Sequence, residues 1–127
     1  MVIRKLRTKS GAVYFATFTC FQWLPLFEMV NGYDLVYNWM HHAHSKGYGF
    51  FGYAIMPNHA HFMIRVPEDG AINTVLGNGK RFIAYEIIKR LQMDGRNDIL
   101  DQLAAGLRLL IVHAARSIAY SRLQRIL

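Results

Sequence analysis

The chain is poor in cysteine, in proline and in acid, and each shortage excludes something. One cysteine in 127 residues, Cys20, leaves no internal disulfide. It also argues against a closed structural zinc site, which needs four protein ligands and commonly draws them from thiolates. Cys20 ends an apolar run, which suits a packing role in a reducing compartment. The three prolines, Pro25, Pro57 and Pro67, all stand where a regular element is expected to stop. No run of about 18 uncharged apolar residues is present, and Met1-Val2-Ile3-Arg4-Lys5-Leu6-Arg7 lacks the apolar core of a signal peptide. A soluble, cytoplasmic protein with no membrane partner is therefore expected. Eight acids against fifteen lysines and arginines give a net charge of +7. That excess points to a polyanionic partner, because cationic side chains that displace condensed counterions bind nucleic acid whatever its sequence.

What is present fits one domain across residues 1–127, 53% hydrophobic. A chain of this length buries roughly two thirds of its unfolded surface. Residues 13–20 are aromatic and β-branched and follow a Ser10-Gly11 turn signal, which predicts a strand. Residues 21–27 with Pro25 break regular structure. From Asn31, Leu35, Val36, Trp39, Met40 and Ala43 recur at helical spacing up to a terminator at Gly47. Residues 48–56 and 59–66 predict two strands joined by a Pro57-Asn58 turn, and a long helix follows over residues 72–92, weakened at Gly77 and Gly79. A weak strand at 107–112 and a terminal helix from 114 are expected to complete the chain. Residues 102–127 contain no acid and form a compositionally distinct tail. The order matches an α+β, ferredoxin-like βαββα(β) antiparallel sheet with helices on one face.

His59-Ala60-His61 carries the chemistry. Residues two apart on a strand share a face, so both imidazoles can converge on one ion. The surrounding Tyr53-Ala54-Ile55-Met56-Pro57-Asn58-His59-Ala60-His61-Phe62-Met63-Ile64 closely resembles the "MPNHVHLLI" segment of single-tyrosine HUH transposases, a group that includes the REP-associated tyrosine transposases. The likeness extends over residues 10–92. It takes in Thr17-Phe18-Thr19, Pro25-Leu26-Phe27 and Gly79-Lys80-Arg81-Phe82-Ile83-Ala84-Tyr85, and it fades in the tail.

That resemblance implies a DNA transposase of the bacterial nucleoid. Such an enzyme acts on single-stranded or hairpin DNA as a homodimer, by metal-assisted cleavage and rejoining through a 5′-phosphotyrosine intermediate. It implies a divalent ion, Mg²⁺ or Mn²⁺, on His59 and His61. A nucleophile in Tyr-x-x-x-Gln spacing would be Tyr120, with Gln124 as third ligand, since i to i+4 places the two side chains together on a helix. A phenol is a poor nucleophile at neutral pH unless a cation stabilises it, so metal and tyrosine belong together. The Tyr-Ile-x-x-Asn-Pro segment of the REP-associated branch is absent, and Tyr85 is the other candidate. Arg4, Lys5, Lys80, Arg81 and Lys89 are the candidate DNA contacts, with Arg90 beside them. Trp23, Tyr48, Phe50 and Phe51 are aromatic groups that could stack on unpaired bases or pack in the core. His41, His42 and His44 form a second group near a helix end. Two alternatives stay open: a truncated or frameshifted remnant that binds hairpins without cleaving, and a phosphoesterase that uses water.

Overall fold

The computed structural model describes residues 2–8 and 11–113, with side chains from residue 12 to 106. Its order is β1 (Val2–Thr8), β2 (Gly11–Thr19), a 3₁₀ turn (Phe21–Trp23), α1 (Leu26–Met29), α2 (Tyr33–Ser45), β3 (Gly49–Met56), β4 (His59–Val66), α3 (Ile72–Met93) and α4 (Asn97–His113). The strands form one antiparallel sheet in the order β1-β2-β4-β3. β2 and β3 run the same way with β4 inserted between them, and α2 makes the crossover, the split arrangement of ferredoxin-like α+β folds.

Alternation decides which side chains reach the core. Ala60, Phe62, Ile64 and Val66 of β4 and Ala16 and Phe18 of β2 are buried against the helices. Leu35, Val36, Trp39, Met40 and Ala43 of α2 meet them, as do Val75, Leu76, Ile83, Ala84, Ile87 and Leu91 of α3. Trp39 is the keystone: its ring lies 5.1 Å from Phe62 and 5.3 Å from Phe18, and its indole N–H donates to the Val75 carbonyl. Gly79 is what lets α3 approach, since a Cβ there would lie 2.4 Å from the Trp39 ring. The glycine that weakens the helix by propensity is the one that lets it pack.

Three expectations need correction. Residues 107–112 are not a strand but part of α4. Their apolar run is ambiguous by itself, but the helix begins upstream at Asn97, and Ile99, Leu103 and Gly106 already set a helical spacing into the core. The fourth strand is instead β1, whose Arg4 and Lys5 pair with Phe15 and Tyr14 of β2, so these two candidate DNA contacts lie in the sheet. The break after β2 holds two short turns, and the first long helix starts at Tyr33 rather than Asn31. Asn31 sits in the left-handed region at φ 48°. The terminal helix expected from residue 114 lies outside the described residues.

Candidate metal centre

β4 opens directly on the histidines. His59, His61, Met63 and Arg65 alternate with the buried set, so they belong to the sheet face opposite the helices. Thr19 and Met56 flank His59, and Thr17 and Ala54 flank His61, in the register of the neighbouring strands. The two imidazole centroids are 4.8 Å apart with planes at 80°.

The turn that delivers His59 is held from outside. Neither Pro57 nor Asn58 has positive φ, so this is not one of the mirror-image turns that suit strand twist best. Tertiary bonds supply what the turn lacks: Cys20 N–H donates to the Asn58 carbonyl at 2.9 Å and Phe27 N–H to the Pro57 carbonyl at 3.1 Å. Cys20 itself is buried, and burial pushes its thiol up to about 12, in keeping with a packing group.

Each ring is oriented through its Nδ1. Asn58 Oδ1 lies 2.7 Å from His59 Nδ1, and Asn58 Nδ2 donates to the Trp23 carbonyl at 3.4 Å, which fixes the amide's orientation. An amide oxygen only accepts, so His59 is the Nδ1–H donor and keeps its lone pair on Nε2. Thr17 Oγ1 lies 2.9 Å from His61 Nδ1, and its hydroxyl can accept from the ring in the same way. Polar partners behind Nδ1 that free Nε2 are the usual support of a histidine metal ligand. Asn58 stands within the sequence motif, but Thr17 is 44 residues away and joins the site only through strand pairing.

A divalent ion fits this donor set. Two exposed or half-buried imidazoles leave several coordination positions for water or phosphate oxygens, as a catalytic rather than structural site requires. Among the described residues no third His, Cys, Asp or Glu completes a cluster. Tyr120 and Gln124 lie outside the described residues.

The other candidates are dispersed. Tyr85 is exposed on α3, whose opposite side is buried in the core, so it stands on the far side of the molecule from the histidines. Arg81 and Lys89 share that outer surface, and an Arg81 Nη2 is bonded to Asn78 Oδ1. Lys80 is half-buried, and loss of hydration pulls its pKa down. Arg90 is committed elsewhere: it donates to the Val30 and Asn31 carbonyls and to both carboxylate oxygens of Asp34, at 2.7–3.3 Å. Arg4 and Lys5 lie in β1, with only their backbone described. Phe50 and Tyr48 face inward, whereas Trp23 and Phe51 are exposed. His41 and His44 do share a helix face and line one cleft of about 510 Å³ with Tyr53 and Arg65. His44 Nδ1 donates to the Tyr48 carbonyl at 3.3 Å.

No protein-family model, curated protein or solved structure matches this chain. Among the described residues no helix is long and apolar enough to cross a membrane.

Proposed function

We propose that this chain is a metal-dependent DNA transposase that cleaves and rejoins single-stranded DNA, most readily at hairpins, as a homodimer. The observation that carries the reading is the His59–His61 pair, half-buried and exposed respectively on one sheet face, with a polar partner at each Nδ1. The likeness of residues 53–64 to the HUH segment supports it, and so does the charge of +7.

A bound Mg²⁺ or Mn²⁺ would polarise a phosphate and stabilise the phenolate and the charge of the transition state. His59 and His61 would hold that ion, with Nε2 the free ring nitrogen of His59. Asn58 and Thr17 keep the rings turned toward it, which spares the site reorganisation during the reaction. Tyr120 supplies the nucleophile: its phenolic oxygen forms a bond to phosphorus as the bond to the 3′ oxygen breaks. The phenolic proton passes to solvent, the leaving 3′ oxygen takes one up from solvent to become a hydroxyl, and the 5′ phosphate stays on the tyrosine. Gln124 is the third ligand in this reading. Arg4, Lys5, Lys80, Arg81 and Lys89 are the proposed phosphate contacts.

A second reading, hairpin binding without cleavage, draws on the placement of Tyr85 away from the histidines and on the departure of the tail from the family pattern. Strand scission separates the two. A 5′-labelled hairpin oligonucleotide incubated with Mn²⁺ should be cut by the wild type, left intact in EDTA and left intact by His61→Ala. Binding without scission under all conditions selects the second reading.

A further inference from the structure

Gln22 and Trp23 adopt φ 51° and 59°, two consecutive left-handed residues and neither of them glycine. Side chains at such angles crowd the backbone, and the strain is appreciable. Such strain persists only where the surroundings over-determine it, and here they do. Trp23 N–H donates to the Cys20 carbonyl at 3.0 Å, and Leu24 N–H to the Phe21 carbonyl at 3.1 Å. Asn58 Nδ2 donates to the Trp23 carbonyl. From α4, Gln102 Nε2 donates to Gln22 Oε1 at 3.4 Å, and Gly106 takes the Phe21 ring so closely that a Cβ would lie 2.3 Å from it. Phe21 is drawn in and Trp23 is turned out.

The outcome is an indole held in solvent. Trp23 is 64% exposed, although burying it would release apolar surface from water. Its ring stands 6.0 Å from His59, edge to face, and its carbonyl is bonded to the side chain that orients His59. Strained backbone, an exposed large ring and a shared bond with a candidate ligand thus meet at one residue. The other tryptophan, Trp39, is buried in the core.

We infer that Trp23 is a base-stacking platform: it holds an unpaired nucleobase of a single-stranded nucleic acid beside the phosphate that the histidine pair addresses. The inference rests on the functional reading above for the identity of the ligand. A flat π-surface accepts any base, and a base fixed there restricts the next phosphodiester to the neighbourhood of His59 and His61. A nucleic acid is a polyanion, the partner that a chain of net charge +7 attracts most strongly.

The two tryptophans make the test spectroscopic. In metal-free buffer, acrylamide should quench one class of tryptophan in the wild type, and Trp23→Phe should remove that class while the buried Trp39 signal remains. Titration with single-stranded oligothymidylate should quench the same class. By fluorescence anisotropy of a labelled oligothymidylate, Trp23→Ala should bind about tenfold more weakly and Trp23→Phe should recover most of the loss. Trp23 shielded from acrylamide in the free protein, or unchanged affinity in Trp23→Ala, overturns the inference. A Trp23→Ala variant that turns monomeric while its oligonucleotide affinity is unchanged overturns it in favour of a protein interface. The scission assay keeps the two proposals apart. Scission in the wild type with full affinity in Trp23→Ala removes the platform alone. Trp23-dependent binding without scission removes the cleavage reading alone.

Discussion

At the scale of single residues, the site depends on which nitrogen each histidine offers. Asn58 and Thr17 both stand at Nδ1: the amide oxygen of Asn58 only accepts and so leaves His59 offering Nε2, and the Thr17 hydroxyl supports the same choice in His61 when it accepts from the ring. Removing such a support commonly costs 10–100-fold in metal affinity. Asn58→Ala should therefore weaken Mn²⁺ binding by about that factor in calorimetry, and Thr17→Val by a smaller one, while His61→Ala should abolish it. Two nitrogen donors suit Mn²⁺ better than Mg²⁺, so Mn²⁺ should bind more tightly to the wild type. Equal affinity in Asn58→Ala and wild type would mean that the amide serves the turn alone. The histidines were legible in the sequence because they lie in one short segment, whereas Asn58 beside them stood out only as a turn residue. Thr17 was not legible as a partner, since the 44-residue separation closes only when β2 pairs with β4. The left-handed pair Gln22-Trp23 carried no sequence signal either, because neither residue type marks that conformation.

At the scale of elements, helix packing rests on close approaches that the sequence registers only as weak helix formers. Gly79→Ala places a methyl group inside the Trp39 ring and should destabilise the fold by about 1–3 kcal/mol in urea unfolding, despite alanine's higher helix propensity. A gain in stability would show that α3 can retreat from α2 at no cost. Arg90 ties the α1–α2 connection to α3. Its hydrogen bonds hold the Asp34 carboxyl below the usual carboxylate range, with loss of hydration opposing them. A carboxylate with a depressed folded-state pKa binds fewer protons than it does unfolded, so stability from the pair is complete above the unfolded value near ~3.9 and is lost as pH falls through the lower folded value. Asp34 is half exposed, which limits the pair to about 1 kcal/mol. Arg90→Ala should therefore be less stable than wild type at neutral pH, and the difference should shrink in acid. Periodicity revealed α2 and α3 because their buried stripes are long. It failed for residues 107–112, where five apolar residues in six fit either period and only the upstream helix decides.

At the scale of the whole molecule, the sheet divides the work: one face builds the core with the helices, and the other carries the histidines, with Trp23 beside them. Salt dependence of single-strand binding reads the charge of this arrangement, with a slope near −0.7 per phosphate contact. Arg4→Ala with Lys5→Ala should lower the slope by about 1.4 if both meet phosphates, and Arg90→Ala should leave it unchanged, because its guanidinium is already spent on Asp34. An unaltered slope in the double variant would place the phosphate contacts elsewhere. The central claim concerns a covalent step, and it can be read from the protein itself. After incubation with a hairpin oligonucleotide and Mn²⁺, digestion and mass spectrometry should find a nucleotide-linked peptide containing Tyr120, absent from Tyr120→Phe and from His61→Ala. An adduct that survives in His61→Ala, or scission with no protein-linked DNA at all, would contradict it.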